Sequence, residues 1–109
     1  MESKREIKHI LVVKFNEGAT EQQIEECIKQ FCNLVDLVPS IKAFKWGKEM
    51  GIVNLNQGFT HVFEATFESA EDVAAYVSNP NHANYASLLM PLVEKFVVLD
   101  FEPVGKPQP

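Results

Sequence analysis

The segment that decides the fold is "IKHILVVKF", residues 7–15, in which both faces of a predicted strand have an apolar centre. One face consists of every second residue from the start of the segment: Ile7, His9, Leu11, Val13 and Phe15. The other has Ile10 and Val12 at its centre and lysines only at its ends. A strand of this type is covered on both sides in the folded protein. Helices of the same chain can cover one side, but 109 residues supply too few strands for a second sheet. The pattern therefore predicts that a second copy of the chain covers the other side.

The remaining segments predict three more strands and two helical regions. Helix 17–39 has Thr20 as its N-cap and Gln23 at the position of a capping box. The other predicted elements are strand 40–50, loop 51–58, strand 59–69, helix 69–79 capped by Ser69, a helical piece over 82–95 and strand 95–103. The order β-α-β-β-α-β is the split βαβ arrangement of ferredoxin-like α+β folds, with helices on one face of a four-stranded antiparallel sheet.

The uncovered face of this sheet is expected to be apolar, with Ile10, Val12, Phe44, Trp46 and Val62 contributing to it. For the aromatic pair Phe44 and Trp46, a place in the ordinary core is an alternative that the sequence does not exclude. Two such faces packed together form a closed barrel, so we expect a homodimeric α/β barrel. We interpret residues 1–109 as a single domain with a core over 7–103 and frayed tails.

The composition restricts the partners and the compartment. The net charge of −5 argues against nucleic acid or an anionic membrane as a partner. No segment is long and apolar enough to cross a membrane, and the polar start is not typical of a signal peptide. Cys27 and Cys32 are five residues apart on one helix, which disfavours an intrachain disulfide and favours a reducing, cytoplasmic location.

Five segments together resemble the stress-responsive dimeric α/β-barrel family of plants: "KHILVVKF", "NLVDLVPSIKAFKWGKEMG", "NQGFTHVFEATFES", "NPNHANYA" and "VVLDFEP". The family includes heat-stable, boiling-stable and defence proteins as well as olivetolic acid cyclase, which closes a linear polyketide by an intramolecular aldol reaction. The resemblance implies a heat-stable homodimer with a role in stress response and plant defence. In the boiling-stable branch it implies a higher ring built from dimers.

The resemblance to the cyclase also assigns site residues. It places the catalytic histidine and tyrosine at His82 and Tyr76, the strand histidines at His9 and His61, and a strand-end aspartate at Asp100. The chain departs from the cyclase along its predicted pocket, at Cys27, Ile28, Phe31, Ala86 and Val93. The resemblance therefore implies a pocket but not the same substrate.

The segment "YVSNPNH", residues 76–82, carries the two candidate catalytic residues. Pro80 cannot continue the helix of Tyr76, so the chain turns and both side chains can face one cavity. An imidazole suits the removal of a proton from an acidic CH₂, and a phenol suits the carbonyl that becomes an oxyanion. His9 or Asp100 would fix a tautomer or tighten the network. In the alternative interpretation, Tyr76 is an amphipathic core residue and His82 belongs to the start of the next helical turn.

We predict that the pocket lies between the helices and the sheet and binds a flat or linear oxygenated molecule with an apolar tail. His9 and His61 would line its floor, and its apolar wall would consist of Ile28, Phe31, Leu88 and Val93. Two inward histidines could instead hold a metal, but no third ligand has suitable spacing, and ordinary core histidines are the stronger interpretation.

A weak cation site is a further prediction. The last carbonyls of the first helix lack helical partners before Pro39, and the main-chain oxygens of Cys32, Val35 and Val38 could bind Mg²⁺ or Na⁺. We expect no other cofactor.

Two classes of function stay open at this point. The first is a non-enzymatic stress or defence protein whose main property is a stable dimer. The second is a small-molecule binder or a cofactor-independent, polyketide cyclase-like enzyme. A space between sheet and helices lined by the candidate residues would favour the second class.

Overall fold

The structure, a computed structural model, describes residues 5–106. It consists of a four-stranded antiparallel sheet with three α-helices: β1 (Ile7–Phe15), α1 (Glu21–Asp36), β2 (Ala43–Lys48), β3 (His61–Phe67), α2 (Ala70–Ser78), α3 (Pro80–Leu89) and β4 (Val93–Phe101). A short 3₁₀ turn, Met90–Leu92, leads into β4. The strand order is β2-β3-β1-β4. The predicted ferredoxin-like class is confirmed, and the second helical region consists of two helices.

The helix boundaries follow from their capping residues. Thr20 accepts a hydrogen bond from the backbone of Gln23, and the Gln23 side chain accepts one from the backbone of Thr20, as the capping box predicted. Asn79 is extended and Pro80 occupies the first turn of α3, so the chain turns sharply between α2 and α3. The turn predicted at "YVSNPNH" is therefore confirmed.

The first strand has the predicted boundaries, whereas those of the other three strands differ from the predicted ones by two or three residues. The second and third strands are shorter than predicted because their ends belong to the connecting turns and to the 49–60 region. The last strand begins at Val93 rather than at residue 95, since the backbone becomes extended directly after the 3₁₀ turn. The described residues contain no helix that is long and apolar enough to span a membrane.

The inner face of the sheet packs against the helices and forms the core. Val13 of β1 and Phe67 of β3 are completely buried, and Phe63 of β3 is nearly so. Phe31 of α1 contacts the rings of Phe63 and Tyr85 at centroid distances of 4.9 Å. His9 and His61 lie on this same inner face, as the strand alternation predicted.

The opposite face of the sheet, here called the open face, is covered by no helix. Val12 of β1 pairs with Val62 of β3 on one side and with Val97 of β4 on the other. Ile10 pairs with Leu99 of β4 on the same face. An apolar row across three strands of an uncovered sheet is the feature that the sequence predicted.

Two residues were assigned to the wrong face. Phe44 pairs with Ala65 and Trp46 pairs with Phe63, so both lie on the inner face with the core and not on the open face. Phe44 contacts the ring of Phe31, and Trp46 stacks on Phe63 and His61. The assignment was wrong because alternation within a strand gives two sets of residues but does not say which set faces inward. Only the register with β3 decides it.

Candidate functional site

The first pair of site residues lies on adjacent strands at one end of the sheet. His9 of β1 is directly opposite Asp100 of β4, and the His9 Nδ1 and Asp100 Oδ1 atoms are 2.5 Å apart. The His9 side chain is 12% exposed and that of Asp100 is 44% exposed. The carboxylate therefore fixes the orientation of a nearly buried imidazole while keeping contact with solvent.

The second pair is supplied by the helices. Tyr76, in the last turns of α2, packs edge-on against His82 in the first turn of α3, with 4.8 Å between the ring centroids. The same tyrosine ring lies 5.8 Å from the ring of His9 and 5.3 Å from that of Phe67. The structure thus brings His9, Tyr76, His82 and Asp100 into one cluster, here called the His–Tyr cluster, between β1, β4 and the α2–α3 turn.

The protonation states within the cluster suit an acid–base pair. Burial lowers the pKa of His82, a positive charge on His9 lowers it further, and a hydrogen bond to the backbone of Val77 opposes both effects. Burial raises the pKa of Tyr76 to about 12. At neutral pH the imidazole of His82 is therefore neutral and can accept a proton, whereas the phenol keeps its proton and can donate a hydrogen bond.

The hydrogen bonds of the cluster leave two groups for a ligand. When one ring nitrogen of His82 donates to the Val77 backbone, the lone pair lies on the other ring nitrogen. Tyr76 is buried, yet its hydroxyl forms no hydrogen bond with any other residue in the described part of the chain. Both groups can therefore interact with a bound molecule.

Residues 7–103 match the family described as the stress responsive A/B barrel domain. The chain belongs to this family. It is 45% identical over 104 residues to the stress-response A/B barrel domain-containing protein HS1 of Arabidopsis thaliana, and the match covers 95% of each protein. It is 37% identical over 97 residues to olivetolic acid cyclase of Cannabis sativa, covering 89% of this chain and 96% of the cyclase.

Solved structures show the same relationship. The hydroxynitrile lyase of Passiflora edulis has a TM-score of 0.87 and 29% identity, with 97% of this chain and 99% of the lyase covered. Bacterial structures described as dimeric ferredoxin-like proteins, at 22% and 18% identity, share the fold with TM-scores of 0.80 and 0.79. The resemblance of the sequence to the A/B barrel family is therefore confirmed.

In this A/B barrel protein, His61 lies apart from the His–Tyr cluster. It pairs with Val13, whereas His9 pairs with Ala65, so the two histidines are four positions apart along β1, or about 13 Å. Its Nδ1 atom is 2.8 Å from the Thr60 hydroxyl oxygen, and its Nε2 atom is buried without a partner among residues 5–106. Burial and, to a lesser extent, the charge of Lys48 lower its pKa. The two histidines do not form one floor.

The residues predicted as the apolar wall lie in three different places. Ile28 and Phe31 are core residues of α1, and Val93 packs at the edge of the same core. Leu88 is exposed and lies on the outer side, between α1 and α3. The prediction that Leu88 lines a space between helices and sheet is wrong, because its position on α3 points away from the sheet.

Cavities of about 150 to 360 Å³ are found at other places on the described chain. The largest of these four, of about 360 Å³, is a groove between α1 and α3 that has Cys27, Leu88 and Leu92 in its lining. Another, of about 330 Å³, lies between the 49–59 loop and the open face. None of these four is lined by a residue of the His–Tyr cluster, and the pocket predicted between the helices and the sheet stays a prediction.

The premise of the predicted cation site is wrong. The Val35 carbonyl accepts hydrogen bonds from the backbones of Leu37 and Val38, and the Val38 carbonyl accepts one from Ile41. These oxygens are therefore not orphaned at the end of α1. Within residues 5–106 no group of three or more His, Cys, Asp or Glu side chains is placed to hold a metal ion. Binding of Mg²⁺ or Na⁺ by Cys32, Val35 and Val38 stays a prediction.

One residue of the site was not foreseen. Phe67 is completely buried and contacts the rings of both His9 and Tyr76, so it supports the cluster from below. Its position could have been found from the alternation of β3, since Phe67 lies on the same face as Ala65, which pairs with His9.

Proposed function

We propose that this chain is a homodimeric stress-response protein that binds a small oxygenated molecule at the His–Tyr cluster. The observation that carries the proposal is the contact between Tyr76 and His82, 4.8 Å between ring centroids, beside the hydrogen-bonded pair of His9 and Asp100. A phenolic donor and an imidazole acceptor on adjoining rings suit a carbonyl or hydroxyl ligand. The flanking aromatic rings suit a molecule with an apolar part.

The open face supports the homodimer. It presents Val12, Val62, Val97 and Leu99 in register across three strands, and the last three of these are exposed in a single protomer. Burying one such side chain is worth roughly 1.5–3 kcal/mol, so a face of this composition is stable only when covered. Two copies related by a two-fold axis cover each other's open faces and form the barrel.

Catalysis is the second candidate function. It is favoured because burial lowers the pKa of His82 and raises that of Tyr76. The neutral imidazole of His82 would remove a proton from a CH₂ group between two carbonyls. The resulting carbanion would form a carbon–carbon bond with a second carbonyl of the same molecule. Tyr76 would stabilise the new oxyanion by a hydrogen bond, and the proton on His82 would then return to that oxygen. This is an intramolecular aldol closure of the polyketide cyclase type, and it needs no cofactor.

The roles of His9 and Asp100 follow from the hydrogen bond between them. Asp100 would hold the His9 ring in place, and the His9 ring would in turn pack against Tyr76 and limit its movement. The hydroxynitrile lyase and the olivetolic acid cyclase among the relatives support small-molecule chemistry at this fold. The Arabidopsis HS1 relative supports a stress-response role. We further propose that the protein is heat-stable and acts in plant defence.

The compartment and the assembly complete the proposal. Cys27 and Cys32 are both free thiols, which supports a reducing compartment such as the cytoplasm. A ring of dimers, as in the boiling-stable branch, would use surfaces other than the open face. Sedimentation distinguishes the ring from the dimer by mass.

The test is a comparison of matched variants with a linear polyketone that has an alkyl tail. Binding is followed by NMR chemical shifts, and ring closure by mass spectrometry of the product. His82→Ala is expected to abolish turnover and to leave the dimer and its melting temperature almost unchanged. Asn84→Ala, an exposed residue of the same helix, serves as the control and should behave as the parent.

The results separate the two candidates. Shifts at His9, Tyr76 and His82 without product support binding alone, whereas product that depends on His82 supports catalysis. Polyketone shifts confined to the α1–α3 groove would overturn the proposal that the His–Tyr cluster is the binding site.

A further inference from the structure

The edge strand β4 is apolar on both of its faces. Val97, Leu99 and Phe101 lie on the open face, and Phe96 and Val98 lie on the inner face. All five are exposed, by 38 to 55%. The helices bury the inner face of β1 and β3, but they leave that of β4 uncovered. An edge strand that is apolar on both sides is a site for association with another chain.

Packing of two open faces cannot cover this strand completely. It would bury Val97 and Leu99, which point toward the partner sheet, but Phe96 and Val98 point the other way. A second element of the partner must therefore reach around the edge of the sheet, or these two residues remain in contact with water.

The loop between β2 and β3 is suited to this position. Four of its apolar side chains, Met50, Ile52, Val53 and Leu55, are 72 to 81% exposed. The loop stands off the open face and leaves a groove of about 330 Å³ whose floor includes Val12 and Val62. One wall of the groove is thus the open face and the other is the apolar loop.

The loop has a defined shape. Glu49 accepts hydrogen bonds from the Gly51 backbone and the Asn56 side chain, both at 2.8 Å. The backbone turns through positive φ at four residues: Gly51, Asn54, Gln57 and Gly58. Because glycine and asparagine tolerate this region, most of the turn forms with little strain. A preformed loop loses little conformational entropy when it binds.

We propose that the 49–59 loop of one protomer clasps the β4 strand of the partner, so that each β4 lies in the partner's groove. This inference rests on the homodimer of the proposed function. Val97 and Leu99 of the inserted strand face the floor of the groove, and Phe96 and Val98 lie beneath Ile52 and Leu55. The two apolar faces of β4 match the two apolar walls, and the two-fold symmetry repeats the contact at the other edge.

The clasp makes the partner part of the His–Tyr cluster. Asp100 lies two residues beyond Val98 on the same face of β4, which places the two side chains about 6.5 Å apart along the strand. The Asp100 side chain, 44% exposed in the single protomer, forms the outer edge of the site. A partner loop on Val98 shields this carboxylate and closes the site beside His9. The site is incomplete in a monomer.

The test is an NMR experiment on mixed dimers of the full chain. One population has ¹³C-labelled methyl groups and the other is unlabelled, and sedimentation of the same sample determines the assembly. We expect intermolecular cross-peaks between the methyl groups of Ile52 or Leu55 and the ring protons of Phe96. A dimer without such cross-peaks overturns the clasp but leaves the homodimer standing. A sample that sediments only as a monomer overturns the homodimer and the clasp together.

A paired variant tests the link to the site. Ile52→Ser combined with Leu55→Ser is expected to weaken the dimer and to speed deuterium exchange at the C2 position of the His9 ring. Leu37→Ser, at the exposed end of α1, is the matched control and should change neither property. An unchanged His9 exchange rate in a dissociated, folded double variant would show that the partner does not shield the site.

Discussion

A carboxylate placed at the centre of the open face, by Val12→Asp, is expected to split the homodimer. Val12 lies between Val62 and Val97 on the neighbouring strands, so its replacement affects the middle of the apolar row. Its backbone pairing does not depend on the side chain, and the side chain is not part of the inner core. The protomer should therefore keep its secondary structure while the association weakens.

The expected loss of association free energy follows from the two-fold symmetry of the dimer. Burying a fully exposed valine is worth roughly 1.5–3 kcal/mol, which is the upper bound for Val12 because the protomer already covers part of its side chain. Each dimer contains two copies of the position, so the loss is at most about 3–6 kcal/mol before the cost of burying a charge. Since 1.4 kcal/mol corresponds to a factor of ten, the dissociation constant should rise by about 100- to 20,000-fold. Because folding and association are linked, the melting temperature should fall and depend on concentration.

Analytical ultracentrifugation over a concentration series measures the dissociation constant, and circular dichroism reports the fold. Leu37→Asp is the control, since Leu37 is 59% exposed at the end of α1 and lies away from the open face. A folded Val12→Asp variant that kept the dissociation constant of the parent would refute the assignment of the open face as the interface. An equal loss in the Leu37→Asp variant would show that the charge acts through general destabilisation.

Three further outcomes are expected. Tyr76→Phe keeps the ring and removes the donor, so the turnover rate should fall roughly 100- to 1,000-fold if the hydroxyl binds the oxyanion, while ligand binding changes less; an unchanged rate would exclude that role. Because the pKa of His82 lies below the ordinary value of 6.5, the rate should fall as the pH drops through that lowered pKa. Between the lowered pKa of folded His82 and the value of 6.5 in the unfolded chain, the unfolded state binds more protons, so the free energy of unfolding should rise with pH over this range. A pH–rate profile checks the first trend and urea unfolding checks the second. A His82 NMR titration above 6.5 would contradict both. Thr20→Ala removes the side-chain acceptor of the α1 capping box and should lower the free energy of unfolding by about 0.5–2 kcal/mol in urea, whereas an exposed mid-helix change such as Lys29→Ala should have little effect.

The elements of the fold were predictable because they depend on short-range properties of the chain. Thr20 and Gln23 determine the start of α1, and Asn79 with Pro80 determines the break between α2 and α3. The two apolar faces of β1 predicted that the sheet has a second apolar face besides the one against the helices, and the register of β1 with β3 and β4 confirms this second face. Strand ends were less predictable, since they depend on where ladder pairing with a neighbour stops.

The site was predictable only in part. The resemblance proposed His9, Tyr76, His82 and Asp100, and the structure places these four together. It does not place His61 with them, because four steps of ladder register separate His61 from the residue opposite His9. Leu88 was predicted to line the apolar wall of the pocket but faces the outer groove, since α3 begins at Pro80 and turns Tyr85 and Leu89 inward instead.

The sequence by itself determined the element order, the helix caps, the sharp turn after Tyr76 and the presence of an apolar face with no cover in the chain. These properties arise from alternation, capping and backbone restriction within a few residues. Only the tertiary structure decided that Trp46 and Phe44 face the core, that Asp100 meets His9, and that β4 is left bare on both faces. Each of these depends on how strands distant in sequence are registered and on which strand lies at the edge, and a one-residue shift in register would exchange the two faces.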